Sequence, residues 1–464
     1  MIRALTRMLT GPPVKAGVIG TGHYATAIVC QARSIAQLDV AVVADVDVDQ
    51  GRRAYRLAGV DDRRIVVCDR RAAALDALER GDSVVLPDAD LMMDLPLAVV
   101  VEATGQAEAG ARHAAAAIAH GKHVAMVNKE ADVSVGPILK HRADRAGVVY
   151  SAVDGDQHGL LIGLVDWART LGLRVIAGGK AGDRDHVFDP VRRTVTHAGG
   201  RFRVDLDGEQ AAAFAPIDAE EAGVKIAARR RAVQHVSGIG GWDVGEMAIA
   251  ANATGLLPDV PELHAPITRI AEIPEVLCRR EEGGILTRDG AIESVICLRQ
   301  QHEAGLGGGV FVVVDSATDY ARRIMVTKGL IGNRRGSAAL VYRPHHLCGV
   351  ETPLTLLCAA LLGAPTGAGE LLPRVDVVAH AAEDLTKGDV LPGDHSTRLT
   401  FLMTPAAPLG GGVPLPFHLA SGNHLACDVA AGTPLTAAAV AEPPHSTLWE
   451  LRREQDAHFL NGDR

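Results

Sequence analysis

GVIGTGHYA, residues Gly17–Ala25, reads as an apolar strand that runs into a glycine-rich turn and then into a helix of small and apolar residues. Gly20 permits the tight turn, Gly22 lets the backbone approach a pyrophosphate, and Ala25 allows close helix–strand packing. The helix N-terminus adds free N–H groups and a positive dipole end. Gly20, Thr21, Gly22, His23, Tyr24 and Ala25 are therefore the expected nucleotide cradle. The next strand, LDVAVVADVD, ends at Asp45, at the spacing of the acidic residue that binds an adenosine ribose. A flavodoxin-like turn without nucleotide is the plainer alternative. Asp45 favours NAD, whereas Arg52 or Arg53 could accept the extra phosphate of NADP, so the expected cofactor is NAD(P)H.

The same rhythm continues outward. VKAGVIG, VAVVADV, RIVVC, AVVVEAT, HVAMVN and VVYSAV read as strands separated by Ala-rich helices. Alternation of this kind predicts an α/β fold, a Rossmann doubly wound parallel sheet. The strand AVVVEATG ends at Ala103, Thr104 and Gly105, small residues that let a nicotinamide ribose lie close, or simply a strand-to-helix turn. VAMVNKEADVSVGP places Asn128, Lys129 and Glu130 just past another buried strand, on the carboxyl edge where such sheets bind ligands. An idle surface lysine is the bland reading of Lys129; catalysis or substrate positioning is the sharper one.

A chain of 464 residues holds two or three domains. Hydrophobic residues make up 47% and aromatics only 3%, which suits close-packed α/β layers and leaves little for base stacking. A formal charge of −9 argues against nucleic acid or an anionic membrane as partner. Cys30, Cys68, Cys278, Cys297, Cys348, Cys358 and Cys427 show no metal-binding spacing and read as buried free thiols in a reducing compartment. With no signal-like start or uninterrupted apolar span, the expectation is a cytoplasmic protein acting on a small molecule, as a homo-oligomer.

Three regions are expected: residues 14–153 as the NAD(P)-binding domain, 154–370 as an α+β catalytic domain, and 371–464 as a small β-rich module with a tail. The second opens with VDGDQHGLLIGLVDWARTLGL, a carboxylate-bearing turn and a helix, followed by the strand RVIAGGKAG with Lys180. The loop DRDHVFDP, the helix WDVGEMAIAANATGL and the strand GGGVFVVVDS come next, and a long helix starting near YRPHHLCGVETPLTLLCAALLG closes the region. In the third, DVVAHAAEDLTKGDVL and HLACDVAAGTPLTAAAV share a short pattern that is either an internal repeat or chance.

Asp154 and Asp156 lie one residue apart on a turn and could hold Mg²⁺ or Mn²⁺. Alternatively Asp156 merely caps the following helix. His158, His186 and His197 read as surface or loop histidines rather than ligands.

Together GVIGTGHYA, VVEATG, HVAMVNKEADVSVGP, VDGDQ, EMAIAANATGL and YRPHHLCGVETPLTLLCAALLGAPTG resemble the homoserine-dehydrogenase-like oxidoreductases with a C-terminal SAF-type module. Within that group they are most similar to the deoxyxylulose-phosphate reductoisomerase-like (DRL) family. The resemblance implies NADPH, a divalent metal and a place in isoprenoid biosynthesis. It also implies that Lys129, Asp154 and Asp156 serve substrate and metal. One departure stands out: where relatives carry a DGTK-like stretch, this chain has GIGGWDVG with Trp242 and Asp243, so that lysine is missing.

The leading expectation is an NAD(P)-dependent reductase or reductoisomerase of a small polyhydroxylated carbonyl compound, with or without a phosphate. Lys129 would polarise the reacting oxygen, with Glu130 beside it and Lys180 as a second charge for the substrate. A homoserine or polyol-acid dehydrogenase without metal dependence is the runner-up. A non-enzymatic NAD(P) sensor is the third reading.

Overall fold

The computed structural model describes residues 2–9, 11–200, 202–217, 222–236 and 238–461. Seven strands form the first sheet: β1 (Val14–Ile19), β2 (Leu38–Ala44), β3 (Ile65–Val67), β4 (Ser83–Leu86), β5 (Val99–Glu102), β6 (His123–Met126) and β7 (Tyr150–Ala152). Their order is β3-β4-β2-β1-β5-β6-β7, and every pairing is parallel. The central strands are buried along nearly their whole length, because helices cover both faces and the runs are apolar throughout. Strand β4 was not among the expected strands; its four residues, Ser83–Leu86, are too short to show a period.

Chain order then gives β8 (Arg174–Ala181), β9 (His186–Asp189), β10 (Thr194–His197), β11 (Arg203–Asp205), β12 (Leu257–Pro258) and β13 (Ile267–Thr268). β14 (Ala291–Arg299), β15 (Val310–Asp315), β16 (Ile331–Gly332) and β17 (Ala339–Arg343) complete a second, mixed sheet. In it β8 pairs parallel with β14 and antiparallel with β15. The helices Gln157–Thr170 and Gly241–Thr254 pack between this sheet and the first domain, and the second of them is buried almost all round. DRDHVFDP is not all loop: His186–Asp189 is β9, paired with β10 and β14.

The long helix expected from YRPHHL onward is shorter. Tyr342 and Arg343 still belong to β17, and the helix spans Thr352–Leu362, with Pro353 in its first turn. Pro at that position satisfies the helix start, whereas Pro344 cannot sit within a helix interior. Its Leu356, Leu357, Cys358 and Ala359 join the core built by β1, β5 and the helix His23–Ala32.

The C-terminal region pairs β18 (Val375–Ala381) with β19 (Leu399–Pro405) and adds isolated antiparallel bridges. The two pattern-sharing segments face each other there: Leu385 and Val429 exchange both backbone hydrogen bonds at 2.9 Å. The final helix, Thr447–Gln455, lies against the helices Ala107–Ala119 and Lys129–Ala146 of the first domain. Residues 462–464 of the expected tail lie outside the described residues. No helix among the described residues is long and apolar enough to cross a membrane. All seven cysteines are free, but Cys427 is exposed and Cys30 and Cys348 are only half-buried.

Candidate functional site

Strand register brings the cradle together. β1 and β5 pair Ile19 with Glu102, so Gly20 follows directly beside Ala103. Gly20 has φ +80°, and a Cβ there would lie 2.8 Å from the Ala103 carbonyl oxygen. Only glycine fits. Gly22 differs: a Cβ at that position meets nothing within 4 Å. It is the N-cap of the helix His23–Ala32, yet no side chain caps that helix start. The first N–H groups of this helix therefore have no side-chain partner at the cap, as at helix starts that bind phosphate.

Asp45, just past the end of β2, ties the turn down. Its Oδ2 accepts from Thr21 N at 2.8 Å and Thr21 Oγ1 at 2.5 Å, and Oδ1 accepts from Asp47 N at 2.9 Å. Tyr24 reaches the other way, its hydroxyl 3.1 Å from Thr352 Oγ1. Burial and the charge of Asp156 push the Tyr24 phenol well above its ordinary pKa. At the ends of β5 and β6, Asn128 caps the helix Lys129–Ala146 by accepting from Ala131 N. Its Nδ2 donates to Thr104 Oγ1 at 3.1 Å and to the Gln106 carbonyl at 3.0 Å. Thr104 in turn donates to Glu102 Oε1 at 2.7 Å, while Glu102 Oε2 is buried with no partner.

Lys129 begins that helix, a few residues past the end of β6. Its Nζ donates to Glu246 Oε1 at 2.6 Å, and its side chain keeps 30% of its surface exposed. The other oxygen of Glu246 accepts from Lys180 Nζ at 2.5 Å. Lys180 also lies 2.6 Å from Asp243 Oδ1. Burial works against both ammonium groups, but the facing carboxylates outweigh it and hold both lysines above their ordinary pKa, Lys129 under Asp156 and Glu246. Glu246 is itself buried, yet the two lysines hold it well below the usual carboxylate range. Lys129, Lys180, Glu246 and Asp243 thus form one chain of ion pairs, with Lys129 at its partly exposed end.

Asp156 caps the helix Gln157–Thr170, its Oδ1 accepting from Gln157 N at 2.9 Å. Gly155 before it has φ +93°, and a Cβ would crowd the Leu347 carbonyl at 2.8 Å, so this turn is fixed against the loop 345–351. Asp154 is pushed up to about 7, by burial first and by Glu351 second, with Arg343 opposing. The two carboxylates thus answer to different neighbours. Glu246 and Asp243, the acids that could extend a cation site, are already neutralised by lysines. Among the described residues no group of three or more His, Cys, Asp or Glu side chains is arranged to hold a metal ion. The turn offers a cation two carboxylates, one of them engaged as a helix cap.

The expected residues therefore fall into two groups. The cradle residues Gly20–Ala25, Asp45, Ala103–Gly105 and Asn128 gather at the ends of β1, β2, β5 and β6. Lys129 meets Lys180 only through Glu246. Lys180 differs from expectation, since it is completely enclosed and touches carboxylates rather than open crevice. His158 and His186 are corrections too: both are buried, at 1% and 2% exposure, because the helix Gln157–Thr170 and β9 point them inward. Sequence reasoning passed over Glu246 and Asp243, which lie in the quoted helix at a three-residue spacing that puts them on one face.

Residues 20–149 match the NAD-binding domain of homoserine dehydrogenase, and residues 155–352 match the catalytic domain of the oxidoreductase DRL. Neither match reaches the C-terminal module. No curated protein matches the chain. Among solved structures, a putative oxidoreductase, yvaA, from Bacillus subtilis is 12% identical over 76% of this chain and 90% of that one, with a TM-score of 0.36. The 1-deoxy-D-xylulose 5-phosphate reductoisomerase of Zymomonas mobilis, in complex with NADPH, is 19% identical over 52% and 57%, at 0.31. Apo scyllo-inositol dehydrogenase of Lactobacillus casei is 16% identical over 37% of this chain and 46% of that chain, at 0.26. The chain thus spans less than half of that last protein, and likenesses this loose carry no argument about substrate. The chain thus carries a region similar to the NAD-binding domain of homoserine dehydrogenase, followed by a region similar to the catalytic domain of the oxidoreductase DRL.

Proposed function

We propose that the chain reduces, or in reverse oxidises, a small polyhydroxylated carbonyl compound at the crevice beside Lys129. NAD(P)H held in the Gly20–Gly22 cradle supplies the hydride. Lys129 presents its ammonium to the reacting oxygen and stabilises the negative charge that develops there as the carbonyl carbon is reduced. Glu246 fixes that ammonium in place and keeps it charged. Lys180 and Asp243 act behind it, as positioning residues that hold Glu246. The observation that carries this reading is the 2.6 Å contact between Lys129 and Glu246, made by a lysine that remains partly exposed at the strand-end edge.

The isomerising version that the DRL resemblance implies would use Asp154 and Asp156 to hold a cation. Asp154, poised near neutrality, is the one feature that favours it. Plain hydride transfer, the simpler dehydrogenase chemistry, accords better with an Asp156 spent on a helix cap. In either version the C-terminal module, similar in pattern to SAF modules, closes one side of the crevice.

The test is to mix NADH- or NADPH-loaded protein with candidate hydroxy-aldehydes and hydroxy-ketones and follow nicotinamide fluorescence, with and without exhaustive chelation. Oxidation that survives chelation supports metal-free hydride transfer. Loss on chelation restores the reductoisomerase reading. Nucleotide binding without oxidation of any compound would make the protein a sensor.

A further inference from the structure

A cavity of about 600 Å³, within the size range of small-molecule sites, separates the C-terminal module from the first domain. Gly105, Gln106 and Glu130, at the ends of β5 and β6, form one wall. Asp394 and His418 from the C-terminal module form the other. Among the described residues that line it, none is Lys or Arg. Glu108 also lines it, but its oxygens are spent on Ser446 Oγ, Thr447 N and Leu448 N at the start of the last helix. Glu130 accepts from its own backbone N–H, and Asp394 Oδ1 lies 3.8 Å from His395 Nε2. Burial raises the pKa of Glu130 and the nearby Asp394 charge adds to the shift, while its own backbone N–H and the Lys129 charge oppose it.

His418 provides an independent sign of a ligand. It is 7% exposed, it lines the cavity, and no hydrogen bond satisfies its ring nitrogens among the described residues. Burial pushes its pKa down to about 4, so at neutral pH the ring is uncharged and keeps one lone pair free to accept. The opposite wall is firmly placed. Gly241 N donates to the Asp394 carbonyl at 3.1 Å, and Trp242 packs on His395 with ring centroids 4.4 Å apart. Both residues belong to the helix that carries Glu246.

We infer that this cavity receives a protonated amine, seated between Glu130 and Asp394 and donating to the His418 imidazole. This rests on the functional reading above, the amine belonging to the same small polyhydroxylated substrate whose oxygen meets Lys129. A phosphate would meet no Lys or Arg along this lining and would face two carboxylates. The C-terminal module thereby contributes side chains to the site and sets substrate class.

The test is isothermal titration calorimetry on the full chain loaded with NAD(P)⁺, with serinol, glycerol and glycerol phosphate as probes. Serinol is expected to bind about tenfold more tightly than glycerol, with glycerol phosphate weakest, as for a hydrogen-bonded charged group. Asp394→Asn and Glu130→Gln should each weaken serinol about tenfold and leave nucleotide affinity unchanged. Tighter binding of glycerol phosphate, no binding of serinol, or variants that bind serinol normally would each overturn the inference. Failure of the nucleotide itself to bind would instead sink the functional reading.

Discussion

Glu246 joins Lys129 to Lys180, taking one ammonium on Oε1 at 2.6 Å and the other on Oε2 at 2.5 Å. One carboxylate thus links the partly exposed lysine of the first domain to the enclosed lysine of β8. Replacing Glu246 with Gln removes the charge that both lysines need. Lys180 is then left with Asp243 alone, and breaking such a buried pair costs about 3–5 kcal/mol. Thermal melting of Glu246→Gln should show that loss, and the displaced Lys129 should lower turnover about a hundredfold in the molecules that remain folded. A variant as stable and active as the parent would mean the network is ornamental.

The two cradle glycines should fail differently. Gly20→Val puts a branched side chain against the Ala103 carbonyl at a positive φ, so the protein itself should be destabilised. A Cβ at Gly22 meets nothing within 4 Å, so in Gly22→Val the melting temperature should hold while titration with NADH or NADPH shows no binding. Normal nucleotide affinity in Gly22→Val would remove the cradle from this position.

How far the sequence could be read follows from the kind of signal each part carries. The parallel sheet was legible because β1, β2, β5 and β6 are apolar runs ending in special residues, and the Gly20 turn names its own partner. Strand β4 was not, having only four residues. Lys129 stood out by its place after a strand. Glu246 did not, since a glutamate in a helix of alanines looks like a solvated face until tertiary packing buries it at 3% exposure. The stretch lacking the DGTK-like lysine is explained the same way: Asp243 from that stretch meets a lysine supplied by β8 instead.

Asp154 gives a pH prediction. Its folded pKa of about 7 lies above the ordinary 3.8, so between those values the folded chain holds a proton that the unfolded chain releases. Its contribution to stability is therefore full at low pH and declines as pH rises toward about 7, then levels off. Asp154→Asn abolishes that decline. Denaturant unfolding of both forms across this window should show the parent losing stability relative to the variant; parallel curves would contradict the assignment.

The C-terminal module is pinned by Arg452, which is fully buried. Its guanidinium donates to both oxygens of Asp376, at 2.6 and 2.8 Å, and to Asp456 Oδ1 at 2.7 Å. Arg452→Ala leaves two buried carboxylates unpaired, a loss of about 3–5 kcal/mol. Limited proteolysis should then cleave the module first, and unchanged protection would show that the hairpin β18–β19 holds without it.

Lys129→Ala, followed by stopped-flow nicotinamide fluorescence beside parallel nucleotide titration, isolates the group assigned to the reacting oxygen. Hydride transfer to the best carbonyl substrate should slow by roughly two to four orders of magnitude. Affinity for NADH or NADPH should stay as it was, because Lys129 is bonded to Glu246 and not to the glycine turn. Near-normal hydride transfer in this variant would contradict the account and leave Lys129 as an ion-pair partner alone.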